Sequence, residues 1–304
     1  MKVFDADAHV VEPRNIWERF LDDRFKGRVS WRQPIPGQER FRPATIDGRY
    51  TQSHVTLFGD HLTAVRWTRE NMIEKYGDVV IREFDGPGVR ESMRPEGIDL
   101  MVLYGPGYDL WMEGIDGELQ AAMARAYNRW GAEMRATSEG RVIVSAPVPL
   151  NDVSRAVEEI RYAHDQLGAR CFWARPNPFN HRTLGDRAYD PIWEIIQDLD
   201  CAFATHEFMG LRGISAGAER FESFTEWHTV CHPHEAQMAM LAMISNGVFE
   251  RFPRLRVAYM EANCAWLPWW LWRMEEHLEL SGWYEKPECT LSPKEYFKRN
   301  CWIS

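Results

Sequence analysis

The segment that decides the fold runs from Ala169 to Gly210. It reads ARCFWARPNP (169–178), then DPIWEIIQDLD (190–200), then CAFATHEFMG (201–210). The first and third pieces are short, largely apolar runs ending in polar residues, as buried strands do. The middle piece has its apolar residues at helical spacing, with Pro191 near the start. Strand, helix, strand is a βαβ unit, and it predicts parallel pairing.

The same rhythm extends both ways along the chain. Upstream lie strand runs at 2–10, 99–106 and 141–150. The helix 117–138 carries Leu119, Met123, Ala126, Trp130 and Met134 on one stripe, and the helix 152–168 has a Gly168 stop. Downstream come a polar, irregular stretch at 211–231, a helix at 234–252, a strand at 254–264, a helix at 266–280 and a strand-like run at 297–304. No GxGxxG or GxxxxGK[ST] follows a strand, which weakens a nucleotide-binding open sheet. The polar residues that interrupt the strands fall at C-terminal strand ends: Asp7 and His9, Arg175 and Asn177, His206 and Glu207, Glu261 and Asn263. A barrel gathers its active site at that end.

The expected fold class is therefore α/β, a (β/α)8 TIM-type barrel forming a single domain over 1–304. Residues 26–95, rich in Pro, Gly and Arg at their start, read as an insertion after strand one, with a hairpin signal at Asp47-Gly48. Seven strands can be counted where a closed barrel needs eight. The reading is a barrel truncated within strand seven. A seven-stranded open variant and an edge completed by another subunit are the alternatives.

Bulk properties narrow the function. At 304 residues the chain can bury a large core, and its 45% apolar and 27% charged content is that of a globular protein. A net charge of −9 argues against nucleic acid or an anionic membrane as partner. There is no signal-like N-terminus and no apolar run of about 18 residues. The cysteines at 171, 201, 231, 264, 289 and 301 are widely spread, without CxxC. Reduced thiols in a cytoplasmic protein are the simplest reading. The helix WLPWWLWRMEE (266–276) has tryptophans around most of its surface and reads as buried core or a homodimer seam.

The chemistry starts in FDADAHVVEP (4–13). Asp7 and His9 are two apart on a strand, so they share a face, and Asp5 has the same parity. Such a pair is costly to bury without a partner, and a divalent cation is one. An ordinary strand end, hydrogen-bonded to the next loop, is the other reading. His206 ends another strand. Carboxylate plus imidazoles suits Zn first, with Mn or Fe also compatible. Glu261 is read as a proton shuttle with a raised pKa, or as an ion pair with Arg256 or Arg273. Arg175 is read as a carboxylate clamp, or as a pair with Asp186 or Asp190. His232 and His234 lie just before a helix, where they reach the site or merely sit at the helix start, and His234 is included as a catalytic candidate.

DADAHVVEP, RAYNRW (125–130), ARPNP (174–178), THE (205–207), GVFERFPRLRVAYMEANCAWLPWWLWRMEE (247–276) and YFKRNCWIS (296–304) occur in that order. With them the chain resembles the amidohydrolase-related family that contains the metal-dependent aromatic-acid decarboxylases and aminocarboxymuconate semialdehyde decarboxylase. The resemblance implies a (β/α)8 barrel with a mononuclear metal site. It implies Asp7 at the first ligand position, where other members carry His or Glu, His9 at the second and His206 at the third. The family's remaining ligand, an Asp in an (S/T)DYPH-like motif of strand eight, has no match here. Glu261 falls near a catalytic His of the decarboxylases, with MEANCAW replacing a His-Gly-Gly pattern. The expected function is a metal-dependent decarboxylase or hydrolase of a small carboxylated, aromatic or enoic substrate. The competing expectation is an inactive or partner-completed barrel fragment acting only in binding or assembly.

Overall fold

The computed structural model describes residues 2–10, 12–13, 15–31, 44–50, 69–105, 110–207, 215–217, 219–221 and 223–304. Its frame is a succession of parallel strands. β1 (Phe4–His9) opens the chain, and a short helix α1 (Ile16–Phe20) follows. Three small strands come next, β2 (Val29–Trp31), β3 (Ala44–Ile46) and β4 (Arg49–Tyr50), in an antiparallel sheet of order β2-β3-β4. Thr45 pairs with Tyr50 and Ile46 with Arg49, leaving Asp47 and Gly48 as the two-residue turn. Both have positive φ, 50° and 73°, as a type I′ turn demands. Helices α2 (Arg69–Tyr76), α3 (Asp78–Ile81) and α4 (Gly86–Ser92) lead back to the frame. Much of the sequence-expected insertion at 26–95 lies outside the described residues.

The frame continues with β5 (Leu100–Tyr104), α5 (Gly117–Thr137), β6 (Val142–Val144), β7 (Ala146–Pro147), α6 (Val153–Leu167), β8 (Cys171–Ala174), α7 (Asp190–Asp198) and β9 (Ala202–His206). Then come α8 (Phe224–Ser245), α9 (Val248–Arg251), β10 (Arg256–Met260), α10 (Leu267–His277), α11 (Trp283–Glu285), α12 (Pro293–Asn300) and β11 (Cys301–Ile303). Strand order is β1-β5-β6 in one parallel sheet and β11-β10-β9-β8-β7 in the other. The run 142–147 joins them: its first half pairs with β5, its second with β8. β1 and β11 are the outer strands, and no ladder links them among the described residues.

Local chemistry explains the helix ends. Asp116 caps α5 by accepting from the Glu118 and Leu119 N–H groups, each at 2.9 Å. All five residues of the expected stripe on α5 are buried. Gly168 closes α6 at φ 72°, the left-handed position that glycine takes without strain. Ser292 and Glu295 form a reciprocal capping box at the start of α12.

Three expectations are corrected. The helix expected at 234–252 starts ten residues earlier and ends at Ser245, with Pro233 inside it. The Ser223 hydroxyl, accepting from the Glu226 N–H, starts it within the stretch read as irregular. The run 297–304 is mostly the end of α12, with only Cys301–Ile303 extended. For the Trp-rich α10 the buried-core alternative falls, since Trp269 and Trp272 are more than half exposed, which leaves the homodimer-seam alternative. Among the described residues no helix is long and apolar enough to cross a membrane.

β1 contains a bulge. Asp5 lies level with Met101 and Ala8 with Leu103, so two residues, Ala6 and Asp7, face one on β5. The Asp5 carboxylate accepts the Asp7 N–H at 3.1 Å and fastens the extra residue. Ala8 and Asp5 thus share a face, opposite to that of His9. The expected common parity of Asp5 with His9 is lost at the bulge.

Candidate metal centre

Three strand ends converge, bringing four side chains together. Asp7 and His9 come from β1, His206 from the end of β9, and Glu261 follows β10 directly. Ligand atoms of Asp7, His9 and His206 all lie within 4.8 Å of one another. His206 Nε2 is 3.3 Å from Asp7 Oδ1 and 3.3 Å from Glu261 Oε2. His9 Nε2 is also 3.3 Å from Glu261 Oε2.

His206 is fully buried and held from several sides. Its Nδ1 lies 2.8 Å from the Glu207 carbonyl oxygen. A carbonyl only accepts, so Nδ1 carries the hydrogen, and in the neutral ring Nε2 presents its lone pair to the two carboxylates. The Tyr104 ring stacks on it at 5.0 Å, and the His9 ring meets it edge-on at 5.0 Å. His9 Nδ1 faces the Tyr104 carbonyl at 3.4 Å. Backbone carbonyls behind both rings orient them as they orient metal-binding histidines. Nitrogen lone pairs facing carboxylate oxygens repel unless a proton or a cation lies between them. The donor set therefore fits a divalent ion.

Each carboxylate is held as an anion. Burial raises the Asp7 pKa, but the His206 ring when it carries a proton in place of a cation, the Ser304 hydroxyl and the Glu261 N–H bring it down to about 2. Asp7 divides its oxygens: Oδ2 accepts from the Glu261 N–H at 2.8 Å and the Ser304 hydroxyl at 2.7 Å, while Oδ1 faces His206. Burial also raises Glu261, yet the His9 ring bonded to it and the His206, His232 and His9 rings, to the extent that they carry a proton in place of a cation, hold it below the usual carboxylate range. That reverses the expected upward shift: Glu261 sits among imidazoles, not in an apolar pocket. Neither expected arginine reaches it. Arg256 pairs with Asp200 at 2.6 Å, and no ion pair of Arg273 occurs among the described residues.

Two other expected site residues are placed elsewhere. His234 is exposed, its Nδ1 2.9 Å from the Val230 carbonyl. Its neighbour His232 enters the site instead, with Nε2 3.7 Å from Glu261 Oε2. Burial pushes the His232 pKa down to about 4. Arg175 is buried and pairs with Glu207 at 2.8 Å; Asp190 is taken by Arg251, and Asp186 caps its own helical turn. Ser215 donates to the same Glu207 oxygen at 2.9 Å, and Asn177 lies 3.5 Å from Ser215. Glu235, from α8, completes this second polar centre. Burial and then the Glu207 charge raise its pKa to about 7. Sequence reading missed Glu235, left Glu207 at its strand end without a role, and carried His234 forward rather than His232. A signal existed for Glu207: it and Arg175 follow the ends of adjacent strands.

Comparison with known proteins follows the same line. Residues 106–300 match the family model described as amidohydrolase. The 2-amino-3-carboxymuconate-6-semialdehyde decarboxylase of Dictyostelium discoideum is 24% identical over 227 residues, covering 71% of this chain. The chain spans only 59% of the length of that relative. An amidohydrolase from Mycobacterium avium subsp. paratuberculosis K-10 superposes with a TM-score of 0.73 at 20% identity, over 100% of this chain and 83% of the other. A dihydroxybenzoic acid decarboxylase from Polaromonas sp. JS666, solved with manganese and 2-nitroresorcinol bound, gives 0.59 at 16% identity, over 100% of this chain and 78% of the other.

Proposed function

From the premise that the chain belongs to the amidohydrolase family, we propose that it is a metal-dependent decarboxylase of a small aromatic carboxylic acid. Hydrolysis is the competing reaction at the same face. The observation that carries the reading is the convergence of His9, His206, Asp7 and Glu261 on one point, with nitrogen lone pairs turned toward carboxylates. The decarboxylase relatives support it. Asp7, His9 and His206 would hold the ion, with Zn first and Mn or Fe also suited to the set. When bound, a divalent ion supplies Lewis-acid polarisation of a substrate carboxylate or hydroxyl. The protein keeps His206 rigid by burial and stacking, and leaves His9 a third open, at 34% of its side-chain surface, where a substrate can approach. His232 Nε2, 3.7 Å from Glu261, is placed to take up or deliver a proton. Arg175, tied to Glu207, holds the strand end behind His206 rather than clamping a substrate.

The fold belonging to this reading is a (β/α)8 barrel with residues 26–95 as an insertion. A second reading, a barrel face completed by another strand, draws on the outer edges of β1 and β11, which no ladder covers among the described residues. The exposed Trp269, Trp272 and Trp283 give a homodimer a face to use, and a monomer in sedimentation would remove that idea. The function is tested by measuring divalent metal content together with CO2 release from a panel of hydroxylated benzoates. One ion per chain and a release lost in His9→Ala are expected. Metal-free protein, indifferent to His9→Ala, would sink the proposal.

A further inference from the structure

We propose that Glu261 is a direct ligand of the ion, so that the end of β10 supplies a second carboxylate opposite the one on β1. The inference rests on the metal-centre reading and deepens it. Glu261 Oε2 lies 3.3 Å from the Nε2 atoms of both His9 and His206, and His206 Nε2 lies 3.3 Å from Asp7 Oδ1. An ion with ligand distances of about 2.1 Å holds neighbouring tetrahedral donors roughly 3.4 Å apart. Three successive donor pairs, Asp7–His206, His206–Glu261 and Glu261–His9, already have that spacing. His206 and Glu261 each stand in two of these pairs, and Glu261 is the carboxylate that touches both imidazoles.

The backbone is arranged to present this side chain. Glu261 has φ 48° and Asn263 φ 58°, left-handed values uncommon for residues other than glycine. Such a conformation persists only where surrounding contacts impose it. Here the Glu261 N–H is shared between Asp7 Oδ2 at 2.8 Å and the Ser304 hydroxyl at 2.9 Å. The Ala262 N–H donates to the Ser304 carbonyl at 3.0 Å. Asp7 therefore anchors Glu261 with one oxygen and offers the other to the site. Neither arginine expected to neutralise Glu261 does so, and its partners are three imidazoles. His232, with Nδ1 3.1 Å from the Cys231 sulfur, stands behind the carboxylate at 3.7 Å. Two carboxylates and two neutral imidazoles form a donor set with charge matched to a divalent ion.

The test is metal titration, with activity left aside. Chelator-treated wild type, Glu261→Gln, Glu261→Asp, His9→Ala and His206→Ala are titrated with Zn2+ by calorimetry, and the Co2+ forms are compared by visible absorption. Wild type takes one ion. Glu261→Gln, isosteric and at a side chain 41% exposed, binds at least about 100-fold more weakly, the upper end of what losing an outer-shell partner does. Its Co2+ d–d band shifts, which loss of a mere outer-shell contact would leave in place. Glu261→Asp, keeping the charge but withdrawing it by one carbon, loses at least about 10-fold; it decides the matter alone if circular dichroism shows Glu261→Gln misfolded. Wild-type affinity and an unchanged cobalt spectrum in the Glu261 variants, with the ion lost in His9→Ala and His206→Ala, would overturn this inference and leave the metal centre standing. Wild type that binds no ion would overturn both.

Discussion

His206 and Glu207 are adjacent in the chain, and their side chains enter two different polar centres. Each centre has two carboxylates, Asp7 with Glu261 and Glu207 with Glu235. They differ in what balances the charge. Glu207 has its own cation, Arg175 at 2.8 Å, and Glu235 is pushed toward its neutral form with a pKa of about 7. That centre is buried and electrically closed. Among the described residues Asp7 and Glu261 have imidazoles as their only ion-pair partners, lie partly open to solvent, and are both held as anions. A site that leaves its charge to be balanced from outside is a binding site. One that supplies its own counter-charge has no need of a bound cation.

The largest test of that contrast is His206→Ala. It should remove the bound ion and all turnover, read by metal analysis and CO2 release, while the fold persists. Retention of stoichiometric metal would erase the distinction between the centres. Next comes Arg175→Met, which strands Glu207 as a buried, unpaired charge. Urea unfolding should show a loss of about 3–5 kcal/mol. The ion should still bind to the folded fraction; if it is lost as fully as in His206→Ala, the two centres are one.

A smaller effect separates the carboxyls by pH. A raised pKa means that the folded state holds the Glu235 proton more tightly than the unfolded state does. Its stabilising contribution is complete below the unfolded value near 4.5 and is lost as pH rises through about 7. Glu235→Gln lacks this loss. Its stability relative to wild type should therefore climb by up to about 3 kcal/mol between pH 4.5 and 8. A flat difference would place Glu235 in a solvated setting. The smallest effect is Ser215→Ala, which removes one bond to the Glu207 carboxylate, costs about 2 kcal/mol and leaves metal affinity unchanged.

Much of this molecule can be read from residue order. Apolar periodicity marks α5, α6 and α7, because those helices bury one stripe against a sheet. Asp47-Gly48 announces its turn because few other pairs adopt two positive φ values. Asp7, His9 and His206 stand out as polar residues ending apolar strands. What stays hidden depends on geometry that the sequence pattern does not encode. Choosing His232 over His234 requires the rotation of α8, since residues two apart on a helix point in widely different directions. The sign of the Glu261 shift follows from partners on β1, β9 and α8, far away in sequence. Arg175 finds Glu207 only once β8 and β9 are in register, with Ala174 level with Thr205.

The bulge in β1 bears on electroneutrality. A regular strand would line up Asp5, Asp7 and His9 on one face. Together with Glu261, three carboxylates would then surround a doubly charged guest and leave the assembly one negative charge in excess. The extra residue turns Asp5 to the far side and sets it to hydrogen-bonding the Asp7 backbone. One added residue in a six-residue strand thus subtracts one charge from the centre, and two carboxylates remain to meet a dication.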